Sequence, residues 1–317
     1  MNYISLQFVN FFIIILILYY IMPLRLRNFL LLGTSLYFYT CFDIAYVPFL
    51  FFVALSTFMV AKVKKMKKLW LWLVISTNVL LWFIIKFHYF IFAYLDQFLG
   101  IVKLPPIGDK FSILVPVGIS YYILQAIAYV LDVHRNKIEP ETKFWKYLLF
   151  LSYFPAIVQG PISRYDKLMP ELTKSKKFNY DTFANNLLLV LFGLVKKMVI
   201  ADRIAIYANY CFNNYDSLSG LTLYLGAIAY SIQLYTDFSG CVDICRGVSG
   251  MLGIELIQNF NRPYMATSIK EFWGKWHISL SSWLKDYIYI PLGGNRNGAL
   301  RKNFNLLATF TVSGIWH

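Results

Sequence analysis

Four histidines are the side chains in this sequence best suited to proton transfer near neutral pH. They are His88, His134, His277 and His317, and the ordinary pKa of an imidazole is about 6.5. His277 and His317 each follow a tryptophan and lie in or beside an apolar segment. An ionisable ring in such a segment is costly and usually functional. A lone histidine is more often structural than catalytic. The pattern therefore favours His277 and His317 for chemistry and structural roles for the other two.

Two carboxylates, Asp237 and Asp243, lie six residues apart directly after an apolar run. A carboxylate at membrane depth is costly and usually functional. The structural alternative is that both cap helix ends or pair with cations such as Arg246. Both interpretations stay open on the residues alone. Common soluble-enzyme motifs, namely G-x-S-x-G, the P-loop, G-x-G-x-x-G and His-Glu-x-x-His, do not occur in the chain.

The cysteines predict neither a disulfide framework nor a metal site. They are Cys41, Cys211, Cys241 and Cys245, too few for a disulfide scaffold in a chain of this length. Cys241 and Cys245 are one helical turn apart, but two thiols without a nearby histidine pair make a poor zinc site. We interpret all four as packing residues.

The composition predicts that membrane-spanning helices position these groups. Of the 317 residues, 58% are hydrophobic and only 15% are charged, which does not match an ordinary soluble domain. Four runs without charged residues approach the ~20 residues that span a bilayer; they are residues 6–24, 44–61, 69–85 and 111–131. Shorter apolar runs bring the predicted number of spans to eight to ten; they are residues 29–40, 144–158, 187–200, 221–235 and 304–316.

The basic loops predict the orientation of the chain in the membrane. Five lysines within residues 62–68 form the densest cluster, which should be cytoplasmic. The loop with Arg25 and Arg27 is also basic, whereas the turn at residues 41–43 carries no cation, so the N-terminus should lie outside. The net charge of +14 fits attraction to anionic lipid headgroups. Nucleic acid is not an expected partner, because the cations are spread over short interhelical loops.

Residues 268–286 predict one amphipathic helix at the membrane interface. Ser268 and Glu271 fit a capping box, and the helix carries several tryptophans among lysines. A turn is predicted before it, at residues 259–264, and a loop after it, at residues 291–298. The most polar stretch, residues 167–186, is too short for a domain of its own. We therefore predict a single domain over residues 1–317.

The segment FWGKWHISLSSWLKDYIYIPLGGNR at residues 272–296 resembles a signature of bacterial membrane-bound O-acyltransferases. Further motifs in the same order extend the resemblance over most of the chain; they are residues 115–120, 129–135, 154–164, 196–202, 237–240 and 259–264. The loop PLGGNR at residues 291–296 is similar to the alginate-type branch of the family more than to the D-alanyl transfer branch that acts on teichoic acids. The residues after Gly240 depart from the family pattern, with Cys241 where relatives often carry tyrosine.

This resemblance implies an all-α integral membrane fold, a bundle of many helices around a tunnel with re-entrant and interfacial amphipathic helices. It implies a multi-pass protein of the plasma or inner membrane, and a family domain that continues past residue 317, so that this chain is truncated. The implied reaction moves an acyl group, in particular acetyl, from a cytosolic thioester to an exported or cell-surface polysaccharide. The implied donor is acetyl-CoA or an acyl carrier protein, no cofactor is held tightly, and the implied protein partner is an extracytoplasmic acetyltransferase.

Carried over residue by residue, the resemblance implies that His317 is catalytic and that His277 is the second family histidine. A neutral imidazole could accept the proton of an attacking hydroxyl, a contribution of about 10²–10⁴ in rate. Asp237, Arg164 and Asn261 are expected to shape the cavity. Three alternatives remain: D-alanyl transfer to teichoic acid, a transporter or flippase, and a non-catalytic scaffold for an extracytoplasmic acetyltransferase.

Overall fold

The computed structural model describes residues 1–63, 68–101, 114–174, 176–296 and 298–317, and every regular element within those ranges is helical. The α-helices are α1 (Leu6–Ile21), α2 (Leu24–Thr40), α3 (Val47–Ala61), α4 (Lys68–Ile101), α5 (Ile119–His134), α6 (Phe144–Ser152), α7 (Tyr165–Thr173), α8 (Tyr180–Leu194), α9 (Asp202–Asn213), α10 (Gly220–Met251), α11 (Ile269–Lys275), α12 (Ile278–Leu284) and α13 (Gly298–Trp316). The predicted all-α class is confirmed for these residues.

Polar caps and special backbone positions set where the helices begin. The Ser5 hydroxyl accepts a hydrogen bond from the Phe8 N–H at the start of α1, and the Asn179 side chain accepts one from the Thr182 N–H at the start of α8. Such caps satisfy N–H groups that the first helical turn leaves without partners. Helix α1 begins where its predicted apolar run begins, at residue 6, whereas α8 begins at Tyr180, before the predicted run of residues 187–200.

The fourth predicted span, residues 111–131, differs from the structure. Helix α5 begins only at Ile119, because Gly118 has a left-handed backbone with φ of 77°. A Cβ at Gly118 would lie 2.1 Å from the Ile157 carbonyl oxygen, so only glycine fits this close approach. Residues 111–113 lie outside the described residues, so the beginning of that prediction has no structural counterpart.

Two helices among the described residues are long and apolar enough to cross a membrane, by length and composition. They are Ile44–Ala61 and Lys68–Ile101, and only 33% and 28% of their most apolar windows are buried in the protein. The first coincides with the predicted span 44–61, and the second contains the predicted span 69–85 but continues to Ile101. Helix α1 is also apolar but has 16 residues. The expected total of eight to ten spans stays a prediction.

One compact unit comprises Asn28–Val158 and Arg164–Asp166. Helix α3 packs against α5 and α6, and α4 packs against α5. Its buried centre contains hydroxyls paired within the unit, such as Thr57 and Tyr147, whose oxygens are 2.8 Å apart. His88 is also buried here and bonds through Nδ1 to the Ile85 carbonyl at 2.8 Å. His134 is the last residue of α5.

The other compact unit comprises Met1–Arg27, Gln159–Ser163 and Lys167–His317. Its longest helix, α10, packs against α8, α9 and the π-helical turn Val195–Ala201 that joins them. Gly193 of α8 and Gly240 of α10 face each other, since a Cβ on Gly240 would lie 2.8 Å from the Gly193 carbonyl oxygen. Two glycines at one crossing let the helix backbones touch. The histidines singled out by the sequence, His277 and His317, both belong to this unit.

The predicted helix over residues 268–286 is divided in the structure. Its beginning is as expected, because the Ser268 hydroxyl accepts from the Glu271 N–H at 3.2 Å. The helix then stops at Lys275, and α12 begins at Ile278. The reason is His277, whose backbone is left-handed with φ of 43° and cannot continue a right-handed helix. The prediction of one continuous helix was therefore wrong.

Candidate functional site

His277 lies at the break between α11 and α12, enclosed by aromatic rings. It is 7% exposed. The Phe238 ring meets it edge to face, with centroids 4.8 Å apart, and the Phe260 ring lies at 6.5 Å with 29° between the planes. Burial lowers the pKa of His277 to about 3, and the nearby His317 adds to the effect. The imidazole is therefore neutral at physiological pH.

An extended segment holds the break from one side. The Asn261 N–H donates to the Lys275 carbonyl at 3.0 Å, and the Ile278 N–H donates to the Asn259 carbonyl at 2.9 Å. These two bonds flank His277. Left-handed backbone costs a non-glycine residue about 1–3 kcal/mol and persists only when its surroundings impose it. The segment at residues 259–261 supplies that constraint.

His317 follows the last turn of α13. Its Nδ1 lies 2.7 Å from the Ser313 carbonyl oxygen. Because a carbonyl oxygen can only accept, Nδ1 donates in this hydrogen bond, and in the corresponding neutral tautomer the lone pair is on Nε2. His317 is exposed, whereas His277 is buried. The two candidate histidines thus differ in exposure, one ring being exposed and the other buried.

A cluster of aromatic rings in stacked and edge-to-face contacts continues from His277 along α11. Trp276 contacts Phe260 at 5.1 Å between centroids, Phe272 at 5.6 Å and Tyr264 at 6.2 Å. Tyr264 is fixed in turn, because its hydroxyl donates to the Ser231 carbonyl at 2.6 Å. Rings in such contacts form a rigid and weakly polar surface. A hydrogen bond or an electrostatic interaction next to that surface is stronger than the same interaction in water.

The two aspartates of α10 are paired with cations. Lys197 lies 3.0 Å from Asp237, and Lys196 lies 2.6 Å from Asp243. Arg246, the partner suggested by the sequence, is farther from Asp243 at 3.7 Å. Both lysines belong to the π-helical turn Val195–Ala201. These contacts match the ion-pair alternative. They also fix α10 to the π-helical turn close to Phe238, because Asp237 directly precedes Phe238 in the chain, and the Phe238 ring packs on His277.

The remaining predicted site residues occupy different surroundings. Asn261 is exposed and contributes a backbone hydrogen bond to the turn at His277. Arg164 is half-buried and belongs to the other compact unit. Sequence reasoning missed Asn259, which is fully buried beside His277. The motif at residues 259–264 was the signal, but it contains two asparagines of the same chemistry and does not say which one is buried.

Comparisons with known proteins match these motifs. The family model of MBOAT, the membrane-bound O-acyltransferase family, matches residues 36–317. The chain is 35% identical over 313 residues to a probable alginate O-acetylase of Azotobacter vinelandii, covering 95% of this chain and 61% of the relative. It is 35% identical to a peptidoglycan O-acetyltransferase of Helicobacter pylori, covering 89% of this chain and 59% of the relative. Identity to a teichoic acid D-alanyltransferase of Bacillus subtilis is 28%, covering 63% of this chain and 53% of the relative.

The matched region contains the whole aromatic cluster, the ion pairs on α10 and both histidines of the candidate site. The chain spans about three fifths of the length of the first two relatives, at 61% and 59%. The family match nevertheless covers far more than half of the chain. This chain belongs to the membrane-bound O-acyltransferase family.

Proposed function

We propose that the protein transfers an acyl group, in particular acetyl, from a thioester donor to a hydroxyl of an exported or cell-surface polysaccharide. The proposal is supported by the names of the relatives, two of which are O-acetylating enzymes. Relatives named for D-alanyl transfer match at lower identity over a smaller share of the chain. The donor is acetyl-CoA or an acyl carrier protein, used as a co-substrate and not as a tightly held cofactor.

The observation that supports the proposal is the hydrogen bond made by the His317 ring. Its Nδ1 is bonded to the Ser313 carbonyl, which leaves Nε2 as the basic nitrogen. In the proposed reaction, Nε2 takes the proton of the acceptor hydroxyl while the hydroxyl oxygen forms a bond to the thioester carbonyl carbon. The carbon–sulfur bond then breaks, and the thiolate leaving group takes the proton from Nε2, which returns the imidazole to its neutral form. General-base help of this kind contributes about 10²–10⁴ in rate.

His277 takes a supporting part in this proposal. Its burial holds the ring neutral, so it adds no positive charge beside His317 that would weaken Nε2 as a base. The aromatic cluster keeps the surroundings weakly polar. Direct transfer is favoured over a covalent acyl-enzyme, because the sequence contains no G-x-S-x-G nucleophile motif.

The setting proposed for the reaction is the plasma or inner membrane, crossed several times by the chain. The donor would reach the site from the cytosol and the polysaccharide from the opposite side. An extracytoplasmic acetyltransferase is the proposed protein partner. Membrane lipid would cover the apolar side chains that are exposed on the helices, such as Leu6 at 82% and Leu300 at 89%.

The test uses membranes from cells that express the protein from its whole gene. Labelled acetyl-CoA is added, and label is measured in the surface glycan, normalised to the amount of protein in the membrane. His317→Ala should reduce transfer by at least ~10²-fold, because Nε2 is lost. His134→Ala is the matched control, a histidine at the end of α5 in the other unit, and it should transfer normally.

Two results would contradict the proposal. Near-normal transfer by a folded His317→Ala protein would remove His317 as the base. Movement of labelled substrate across the membrane without any covalent label in glycan or partner would favour the transporter alternative instead.

A further inference from the structure

The orientation of the His277 ring depends on the backbone that carries it. The ring nitrogen Nδ1 is buried and makes no hydrogen bond to any residue that the structure describes. Buried histidines that act at a site usually have one nitrogen fixed by a partner. For His277 the direction of the ring is set by its left-handed backbone and by the Phe238 and Phe260 rings. The residues that hold this backbone in place therefore determine the orientation of the His277 ring.

Asn259 holds the backbone through two different groups. Its main-chain carbonyl accepts the Ile278 N–H at 2.9 Å, and its side-chain Oδ1 accepts the Ser279 N–H at 3.0 Å. The first two N–H groups of α12 are thus satisfied by one residue, although His277, the residue before the helix, gives no side-chain cap. Free N–H groups at a buried helix start are costly. Asn259, although distant in sequence, thus takes the place of the N-cap side chain that α12 lacks.

The side-chain contact has a defined direction. The Ser279 N–H can only donate, so the atom of Asn259 facing it must be the carbonyl oxygen. Asn259 is fully buried, so water does not compete for this bond. Ser279 in turn uses its hydroxyl to accept the Ile162 N–H at 3.1 Å. Asn259 and Ile162 therefore fix the start of α12 together, from two separate motifs of the chain.

We propose that Asn259 is a positioning residue for His277, because its buried amide oxygen caps α12 and maintains the left-handed turn that aims the imidazole. This inference rests on the proposed acyl transfer for its effect on activity. The positioning itself is a property of the folded protein and can be measured without any reaction. A displaced group can lower the rate about 10²-fold when its misplacement reaches about 1 Å.

The experiment compares Asn259→Leu and Asn259→Asp in the protein expressed from its whole gene and held in lipid nanodiscs. Leucine has a similar size but cannot accept the Ser279 N–H, whereas aspartate keeps an acceptor oxygen at the same position. The first readout is the NMR signal of His277 in histidine-labelled protein, assigned by its absence in His277→Gln. The second readout is acetyl transfer from labelled acetyl-CoA, separated into turnover and KM for the donor.

Asn259→Leu should shift the His277 signal and lower turnover by about 10-fold or more at nearly unchanged donor KM. Asn259→Asp should recover most of the turnover and move the pH at which His277 titrates upward, because a carboxylate favours the imidazolium ion. Asn78→Leu is the matched control. Asn78 is another fully buried asparagine that bonds to a backbone carbonyl, but it lies on α4 in the other unit, so its loss should leave the His277 signal unchanged.

An unchanged His277 signal in folded Asn259→Leu protein would overturn the inference, and so would an aspartate variant no better than the leucine variant. Equal shifts of the signal in Asn259→Leu and Asn78→Leu would also overturn it, because they would indicate general loosening of the fold. Failure of the proposed function gives a different result, since the wild-type protein would then transfer no label while the histidine signal still reported on the turn.

Discussion

At position 277 the chain combines a titratable ring, deep burial and a left-handed backbone. Each of these is unfavourable alone, since a buried imidazole resists protonation and a left-handed non-glycine residue is strained. Their coincidence within one residue is typical of a functional position. The neighbouring hydrogen bonds from the segment at residues 259–261 show how the strain is maintained. The position of the His277 ring therefore depends on the backbone turn that holds it as well as on the side chain itself.

Burial of His277 predicts that the protein loses stability in mild acid. Its folded pKa is about 3, against an ordinary value of 6.5, so between those limits the unfolded chain binds a proton that the folded chain does not. The free energy of unfolding should therefore be fully retained above about pH 6.5 and fall as pH falls toward 3, by up to about 1.4 kcal/mol per pH unit from this residue. Thermal unfolding in detergent at pH 7, 6, 5 and 4 measures the slope.

His277→Gln should flatten that slope, because glutamine does not titrate. The control is His134→Gln, which removes a half-buried histidine from the other unit and should keep the wild-type slope. Identical slopes in wild type and His277→Gln would contradict burial as the origin of the acid sensitivity.

Sequence patterns singled out the two histidines, whose catalytic roles stay a prediction, but did not predict the geometry around them. Tryptophan–histidine pairs in apolar segments were visible in the chain, and the structure brings His277 and His317 close enough for electrostatic interaction. The left-handed turn could not be predicted, because it depends on hydrogen bonds from Asn259 and Asn261, which are 14 or more residues away in the chain. The same long-range contacts decide which of these two asparagines is buried.

At the scale of the elements, small residues determine how closely α8 and α10 pack. Gly193 and Gly240 meet at the crossing, and Gly247 lies against the Asn186 carbonyl, where a Cβ would be only 2.6 Å away. The π-helical turn that follows α8 places Lys196 and Lys197 beside the aspartates of α10. Close backbones and ion pairs thus fix α10, which carries Phe238 to the His277 ring.

Gly240→Ala is expected to destabilise the protein by about 1–3 kcal/mol, the usual range for overpacking a tight contact. The added methyl group would lie 2.8 Å from the Gly193 carbonyl oxygen, which is backbone and cannot rotate away. Gly33→Ala is the matched control, since Gly33 also lies inside a helix but has nothing within 4 Å of its Cβ position. Alanine there should be neutral or stabilise the helix by about 0.5–1 kcal/mol. Melting curves in detergent measure both effects. Equal melting temperatures for Gly240→Ala and Gly33→Ala would contradict a tight contact between α8 and α10 at Gly240.

Periodicity predicted the presence of helices better than their limits. The capping residues Ser268 and Glu271 were recognised in the sequence, and their hydrogen bond is observed. The division of that helix at His277 was missed, since residues 276 and 277, where the helix breaks, are neither glycine nor proline. Apolar periodicity continues through residue 284, so the sequence alone favoured one longer helix.

For the whole molecule, composition predicted the helical class because only helices satisfy every backbone group locally in a low-dielectric environment. The division into two compact units was not predicted, since it follows from contacts between distant segments such as residues 1–27 and 167–317. Exposed apolar side chains occur in both units; Ile101 is 75% exposed and Leu188 is 62% exposed. Such surfaces need lipid or protein to cover them.

Orientation in the membrane is the last prediction, and it rests on the basic residues near the ends of α2 and α3. Arg25 and Arg27 begin α2, and Lys62 follows α3, while the turn at residues 41–43 between these helices carries no cation. Positive residues near short loops are retained on the cytoplasmic side. The lysines at 64, 65 and 67, which strengthen the second basic loop, lie outside the described residues. We therefore expect residue 41 outside the cell and residue 62 inside.

Cys41 allows the test with a natural residue. Cys41 and Cys241 are half-buried whereas Cys211 and Cys245 are buried, so the labelling is done in a protein that carries Cys241→Ser. A maleimide that cannot cross membranes should label Cys41 on intact cells or spheroplasts. The control protein combines Cys41→Ser with Lys62→Cys, and it should react only after the membrane is permeabilised. Labelling of Lys62→Cys from outside, together with protection of Cys41, would reverse the orientation and place the basic loops on the extracellular side, against the electrostatic preference that motivates the prediction.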